Sequence, residues 1–258
     1  MSNISKAFEN GKAFIPFILC GDPDIETTAG CIVEMEKAGA SMIELEIPFS
    51  DATAEGPVIM ECSIRALEKG ITTDKIFEMV KSLREEKNVK IPFVFMTYAN
   101  VVFSYGIERF CKRASELGVE GLILADVPYE EKDEFDGICK ENGIDLISMI
   151  TPTSCERTPM IVSSASGMIY IGTSFDSNGV EDAIKTEIPK LCASVREVAD
   201  IPCVTGFGIS TPEQAAEAAK SADGILCGTG IIELIAKYKE DAPAHIGDYV
   251  KSMVSAIK

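Results

Sequence analysis

Short runs of branched apolar residues alternate along the chain with longer stretches in which apolar positions recur every three or four residues. Strands and amphipathic helices taken in turn leave that pattern. The runs predict eight strands, over 13–20, 41–47, 91–97, 121–125, 144–149, 168–172, 202–205 and 224–227. Helical periodicity is predicted over 2–10, 25–38, 59–67, 73–86, 106–117, 130–142, a short piece ending near Ser164, 188–199, 212–221, 231–237 and 244–257. Gly39 ends the second of these helices, and Thr211, Pro212 and Gln214 supply an N-cap, a first-turn proline and a capping partner for the 212–221 helix. The polar stretch 173–186, which contains Gly179, reads as a long mobile loop.

Eight strands separated by helices, with no linker or low-complexity segment, predict one α/β domain over residues 1–258. The expected form is a (β/α)8 TIM barrel, with a doubly wound sheet as the alternative. It carries a short N-terminal helix and extra short helices after strands two and eight. In such barrels the working residues lie at C-terminal strand ends and in the loops that follow.

Strand two breaks the apolar rule. Met42, Glu44 and Glu46 alternate with Ile43, Leu45 and Ile47, so the acids share one face and the branched residues the other. Pro48 then ends the strand, and the next loop carries Asp51 and Glu55. An unpaired buried carboxylate is costly, so acids on a core strand mark a site. Asp126 and Tyr170 fall at comparable strand ends.

Charge narrows the chemistry. The net charge of −17 argues against nucleic acid or an anionic membrane surface, both of which need a basic footprint. A phosphorylated ligand would have to be held by local dipoles. Two glycine clusters offer them: Gly206 to Thr211 after strand seven, and Gly228, Thr229 and Gly230 at the start of the helix after strand eight. Backbone N–H groups can approach a ligand there, and phosphate sites in these barrels commonly use this pair of loops. The single histidine, His245, reads as a surface or helix-end residue, which leaves acid–base work to carboxylates. Nine scattered cysteines with no CxxC pair predict buried free thiols rather than disulfides or a metal site. Without a membrane-length apolar run or an apolar N-terminal segment, the expected location is the cytoplasm.

The segments FIPFILCGDP (14–23), ELEIPFSDATAEGP (44–57), MTYANVVFSYG (96–106), LADVPYEE (124–131) and GFGISTPEQ (206–214) resemble, in order, the signatures of the tryptophan synthase alpha chain family. The resemblance implies retro-aldol cleavage of indole-3-glycerol phosphate to indole and glyceraldehyde 3-phosphate. It also implies no cofactor in this chain, and a pyridoxal-phosphate-dependent beta chain as partner in an alpha2beta2 assembly. Glu44 matches the family's catalytic acid–base and Glu55 its second catalytic carboxylate. Phe17, Met96 and Tyr170 match positions around the indole. Gly179, Gly208, Gly228 and Thr229 match the phosphate site, and Asp51, Asn100 and Asn178 the lid and the beta-chain contact.

Several positions depart from the family pattern. Glu46 stands where glycine is usual, Ala52 replaces a proline, Glu55 a common Asp and Thr229 a common Ser. Asp176, Ser177, Asn178 and Gly179 replace a Gly-Val-Thr-Gly run. Two acids at i and i+2 lie roughly 7 Å apart on one strand face, so Glu46 is expected to crowd the mouth and to raise at least one carboxyl pKa. Two other functions stay open at this point: a divergent barrel acting on another phosphorylated substrate, and a non-catalytic subunit that activates a beta chain.

Overall fold

The computed structural model describes residues 3–173, 179–206 and 208–258. In chain order its elements are α1 (Asn3–Lys6), β1 (Ala13–Leu19), α2 (Ile25–Lys37), β2 (Ile43–Glu46), α3 (Pro57–Glu68), α4 (Thr73–Glu85), β3 (Phe93–Thr97), α5 (Ala99–Tyr105), α6 (Ile107–Glu116) and β4 (Val119–Leu124). There follow α7 (Asp133–Glu141), β5 (Asp145–Leu146), β6 (Ser148–Ile150), α8 (Thr158–Ser163), β7 (Ile169–Ile171), α9 (Gly179–Arg196), β8 (Cys203–Thr205), α10 (Pro212–Ala218), β9 (Gly224–Cys227), α11 (Thr229–Tyr238) and α12 (Pro243–Ala256).

The strands form one parallel sheet in the order β5-β4-β3-β2-β1-β9-β8-β7-β6. Its two ends, β5 and β6, are consecutive pieces of the predicted fifth strand, separated only by Ile147, whose N–H still bonds Leu122 O at 2.9 Å. The sheet therefore curls into a nearly closed barrel. This is the (β/α)8 architecture that the periodicity predicts, with the fifth strand divided into two pieces.

Period-two alternation sorts each strand's side chains into two layers. Ala13, Ile15, Phe17 and Leu19 of β1 point into the barrel with Val94 and Met96 of β3, Ile123 of β4, Tyr170 of β7 and Leu226 of β9. Phe14 and Ile18 of β1, Ile43 and Leu45 of β2, and Phe93 and Phe95 of β3 face the helices instead. Ile4 of α1 joins the inner cluster and is fully buried. Two buried threonines tie neighbouring strand ends together: Thr97 Oγ1 donates to Ile47 O and Thr205 Oγ1 to Ile171 O, each at 3.1 Å.

Helix α1 stops at Lys6 rather than at 10, and three further elements differ from the sequence pattern. Helix α5 fills a stretch with no predicted element. Its first N–H, from Ala99, is accepted by Asp126 Oδ1 at 2.8 Å, a partner supplied by a distant loop. Helix α9 starts at Gly179 rather than at 188, so it takes over part of the predicted loop and carries Pro189 inside it. The stripe Ile184, Ile188, Cys192 and Val195, all buried, outweighs that proline. Helix α3 begins at Pro57, two residues before the expected start, with Gly56 as its N-cap. The capping box of Thr211 and Gln214 forms as predicted.

The cysteine expectation holds among the described side chains: eight cysteines are free and buried. Among the described residues no helix is long and apolar enough to cross a membrane. His245 is exposed on α12, with its ring stacked on Tyr238 at 3.6 Å between centroids.

One half-buried ion pair, with a buried Asp22 and a partly exposed Arg65, braces the first strand's exit. Asp22 is 3 % exposed, and its carboxylate accepts from Arg65 Nε at 3.0 Å and from Arg65 Nη2 at 2.7 Å, a two-pronged bond from α3. Replacing Arg65 with Met leaves that carboxylate buried and unpaired, and is expected to cost about 2 kcal/mol of stability in urea unfolding. Adding Asp22→Asn to the same chain should recover part of the loss. A single-variant cost under about 0.5 kcal/mol would show that the pair is worth no more than a surface one.

Candidate active site

A cavity of about 400 Å³ opens at the C-terminal ends of the strands. Its wall is mostly apolar: Phe17, Met96, Met149, Tyr170 and Leu226 rise from the strands, and Ile59 and Val180 close it from the helices that follow. Glu44 and Glu55 are its two acids among the described residues, and no described lysine, arginine or histidine lines it. A cavity of this size and lining suits a small, largely apolar ligand with a few polar anchor points.

Glu44 reaches the cavity because β2 holds it in register with Phe17 of β1 and Val94 of β3, on the inward face. It is 1 % exposed, and neither carboxyl oxygen has a hydrogen-bond partner. Burial, reinforced by the charge of Glu55, pushes its pKa up to about 8. At neutral pH Glu44 is an acid with a proton to give, the condition for a general acid that later acts as base.

Glu55 enters from the loop between β2 and α3, and burial pushes its pKa up to about 7. That loop is tethered from the neighbouring strand: the Ala54 N–H donates to Tyr98 Oη at 3.0 Å. Tyr98 is 1 % exposed and its ring lies against Phe49 at 5.3 Å between centroids. Tyr98 falls within one of the matched motifs, yet the sequence assigns it no part. An isolated tyrosine after a strand carries no signal for a contact made forty-four residues away.

Opposite the acids, the loops after β8 and β9 bring backbone into the cavity through Gly206, Gly208, Gly228 and Thr229. Gly208 takes φ +74°, and a Cβ there would lie 2.5 Å from Val180 Cγ2. At Gly228 a Cβ would meet the Phe17 ring at 3.0 Å. These positions need glycine for the loop, the aromatic wall and the start of α9 to sit together. Gly228 is also the N-cap of α11, so the positive end of that helix, with its unsatisfied N–H groups, starts at the cavity wall. The arrangement can hold an anion without a basic side chain, as the charge balance requires.

The structure thus brings Phe17, Glu44, Glu55, Met96, Tyr170, Gly208, Gly228 and Thr229 to one cavity. It adds Met149, Thr173 and Val180, which the sequence does not single out. Gly179 is the first residue of α9, next to the cavity-lining Val180. Asp51 and Asn100 do not line this cavity and are both exposed. Asp51 accepts from Ser50 Oγ, and Asn100 edges a separate groove with Pro48, Phe49 and Tyr105. Asn178, with Asp176 and Ser177, lies outside the described residues. Among the described residues no three His, Cys, Asp or Glu side chains are placed to hold a metal ion.

Glu46 departs from expectation in its position. It shares the inward face with Glu44, is 0 % exposed, and does not line the cavity. Its register neighbours are Leu19 of β1 and Met96 of β3, and Cys62 and Ala66 of α3 join the same interior cluster. The space for a ligand remains open beside it.

The architecture and cavity can be set beside known proteins. A family described as tryptophan synthase alpha chain matches residues 4–256. The tryptophan synthase alpha chain of Lacticaseibacillus casei is 43% identical over 257 residues, covering 100% of this chain and 96% of its own length. That of Geobacter sp. (strain M21) is 40% identical over 264 residues, covering 100% and 97%. The crystal structure of tryptophan synthase subunit alpha from Legionella pneumophila str. Paris superposes with a TM-score of 0.88 at 34% identity, covering 100% of this chain and 98% of that one. With fold, motifs and length all matched from end to end, the chain belongs to the tryptophan synthase alpha chain family.

Proposed function

We propose that this chain carries out the alpha reaction of tryptophan biosynthesis, the cleavage of indole-3-glycerol phosphate into indole and glyceraldehyde 3-phosphate. The observation that carries the reading is a buried, proton-bearing Glu44 facing an apolar cavity whose opposite wall is glycine backbone at a helix N-terminus. The substrate has matching parts: a flat bicyclic ring for the apolar wall, and a phosphate for the backbone amides.

Each step then has a group to perform it. Phe17, Met96 and Tyr170 pack against the indole, and the phosphate rests on Gly179, Gly208, Gly228 and Thr229. Glu44 gives its proton to indole C3, and the resulting carboxylate takes the proton of the side-chain hydroxyl next to that carbon. The C–C bond breaks, its electrons return to the ring, the hydroxyl carbon becomes the aldehyde, and Glu44 ends protonated as it began. Glu55, ionised, accepts the indole N–H bond and offsets the positive charge that C3 protonation creates.

We assign the partner role to a tryptophan synthase beta chain, meeting the face that carries the exposed Asp51 and Asn100 in an alpha2beta2 assembly. Purified chain is expected to release indole from indole-3-glycerol phosphate slowly alone and faster with a cognate beta chain. No indole in either condition would overturn the reading.

A further inference from the structure

The two glycine loops proposed to hold the phosphate follow neighbouring strands, β8 and β9, in which Val204 pairs with Gly224 and Thr205 with Ile225. Gly208 lines the cavity from the first loop, and Gly228 and Thr229 line it from the second. An anion site made of backbone works only while its N–H groups stay aimed at one point. Whatever fixes one loop against the other therefore sets its affinity.

That link comes from the last helix. Tyr249 of α12 donates its hydroxyl proton to Ser210 O at 2.7 Å, two residues past Gly208. The same hydroxyl lies 3.1 Å from Cys227 Sγ, at the end of β9 and one residue before Gly228. The thiol in turn donates to Ile209 O at 3.2 Å. Consecutive carbonyls of the first loop are thus bonded by a phenol from α12 and by a thiol from the strand that leads into the second. Cys227 and Ile209 are fully buried and Tyr249 is half-buried, so water competes little for these bonds. Burial pushes the phenol up and the thiol up to about 11, which keeps both groups protonated and able to donate at neutral pH. Gly230 makes the approach possible. It is the third glycine position of the second cluster's start, yet it is buried and does not line the cavity. A Cβ there would lie 2.1 Å from Tyr249 Oη and 2.7 Å from Tyr249 Cζ, so the missing side chain is the space that the phenol fills. The mechanism uses none of these three side-chain positions.

We propose that Tyr249 is a positioning residue for the phosphate: its hydroxyl, seated in the space that Gly230 leaves, locks the loop after β8 to the end of β9 and so holds the amides of both loops in register for one anion. The residue touches neither the reacting atoms nor the cavity, and acts through the backbone of Ser210 and the side chain of Cys227. Its effect falls on the phosphate end of the ligand and spares the ring. It also gives the two glycine clusters different tasks: Gly208 and Gly228 bring backbone to the ligand, and Gly230 admits the group that keeps that backbone in place.

The inference rests on the proposed phosphate site, and two probes keep its failure apart from that of the assigned reaction. Glycerol 3-phosphate, which has no ring, is followed by phosphorus NMR. Indole, which has no phosphate, is followed by its fluorescence, since the chain holds no tryptophan. Tyr249→Phe keeps the ring and removes the hydroxyl. It should raise the Kd of glycerol 3-phosphate about tenfold, the usual worth of one hydrogen bond, and leave the Kd of indole within about twofold. KM for indole-3-glycerol phosphate should rise by about the same tenfold, with kcat within about twofold. Gly230→Ala keeps the phenol and denies its hydroxyl that seat, and should show the same selective loss. An unchanged Kd of glycerol 3-phosphate in either folded variant overturns the proposal. Equal weakening of both probes also overturns it, since that is the mark of a general loss of packing. An unmodified chain that binds indole but not glycerol 3-phosphate overturns the phosphate site and the proposal together. Selective loss in a chain that releases no indole upholds the role of Tyr249 and indicts the assigned reaction instead.

Discussion

Replacing Glu44 with Gln is expected to lower kcat for indole release by about 10²–10⁴-fold, the usual contribution of a positioned acid–base group. The amide keeps the size and polarity of the side chain, so packing against Phe17 and Val94 in the neighbouring strands is preserved. What it loses is the proton that moves to C3 and the base that takes one back. KM should change little, because the proposed binding mode puts the ring on the apolar wall and the phosphate on backbone. Steady-state kinetics with and without a beta chain, beside a circular dichroism spectrum matching the unmodified chain, check the result. A loss smaller than about tenfold would place the acid–base role on another group, Glu55 first.

The second large effect concerns stability. Glu44 and Glu55 titrate near about 8 and about 7 in the folded chain, Glu46 is raised as well, and all three return to ordinary carboxyl behaviour on unfolding. The folded state therefore holds protons that the unfolded state releases. Their contribution is most favourable below the ordinary carboxyl pKa near 4.5, and it is lost as pH rises toward 7 and 8. The ligand-free chain should melt lower at about pH 8.5 than at about pH 5.5, the reverse of a protein whose carboxylates are paired. Glu44→Gln isolates one contribution, because an amide has nothing to ionise. The variant's advantage over the unmodified chain should be small at acid pH and grow to several kcal/mol, at most about 5, above pH 8, since a tenfold change in proton affinity is worth roughly 1.4 kcal/mol. Denaturant titrations at the two pH values measure it. An advantage that stays constant with pH would mean that Glu44 is not buried as an acid.

Much of the fold is legible in the residues because strand alternation and helix periodicity are local signals. Residues 41–47 show how far this goes. The i, i+2 placement of Glu44 and Glu46 dictates that they share a face, and the structure puts that face inward. The glycine loops are legible for a related reason: one cluster alone could be a simple turn, but two fall after the seventh and eighth strands, where barrels commonly bind phosphate.

What escapes depends on contacts between distant segments. Helix α5 carries too little apolar periodicity of its own, and it is started by Asp126 across the barrel rim. Helix α9 hides behind Pro189 and the polar residues before it, although its buried stripe is present in the sequence. The break at Ile147 reflects barrel closure, which no residue in 144–149 announces. Strand alternation predicts that Glu46 crowds the mouth, and it cannot tell that the side chain ends fully buried and outside the cavity lining.

The bond from the Ala54 N–H to Tyr98 Oη makes the acid loop answerable to the outside of the molecule. Tyr98 is the N-cap of α5, and the next residue is clamped by the exposed Asp126. Three surface loops are thus joined in series by two hydrogen bonds, with Glu55 one residue from the inner end. Ala54 and Asp126 are thereby linked through two consecutive residues, Tyr98 and Ala99. The loop that carries Glu55 hangs from a chain of bonds whose outer end, Asp126, lies on the surface.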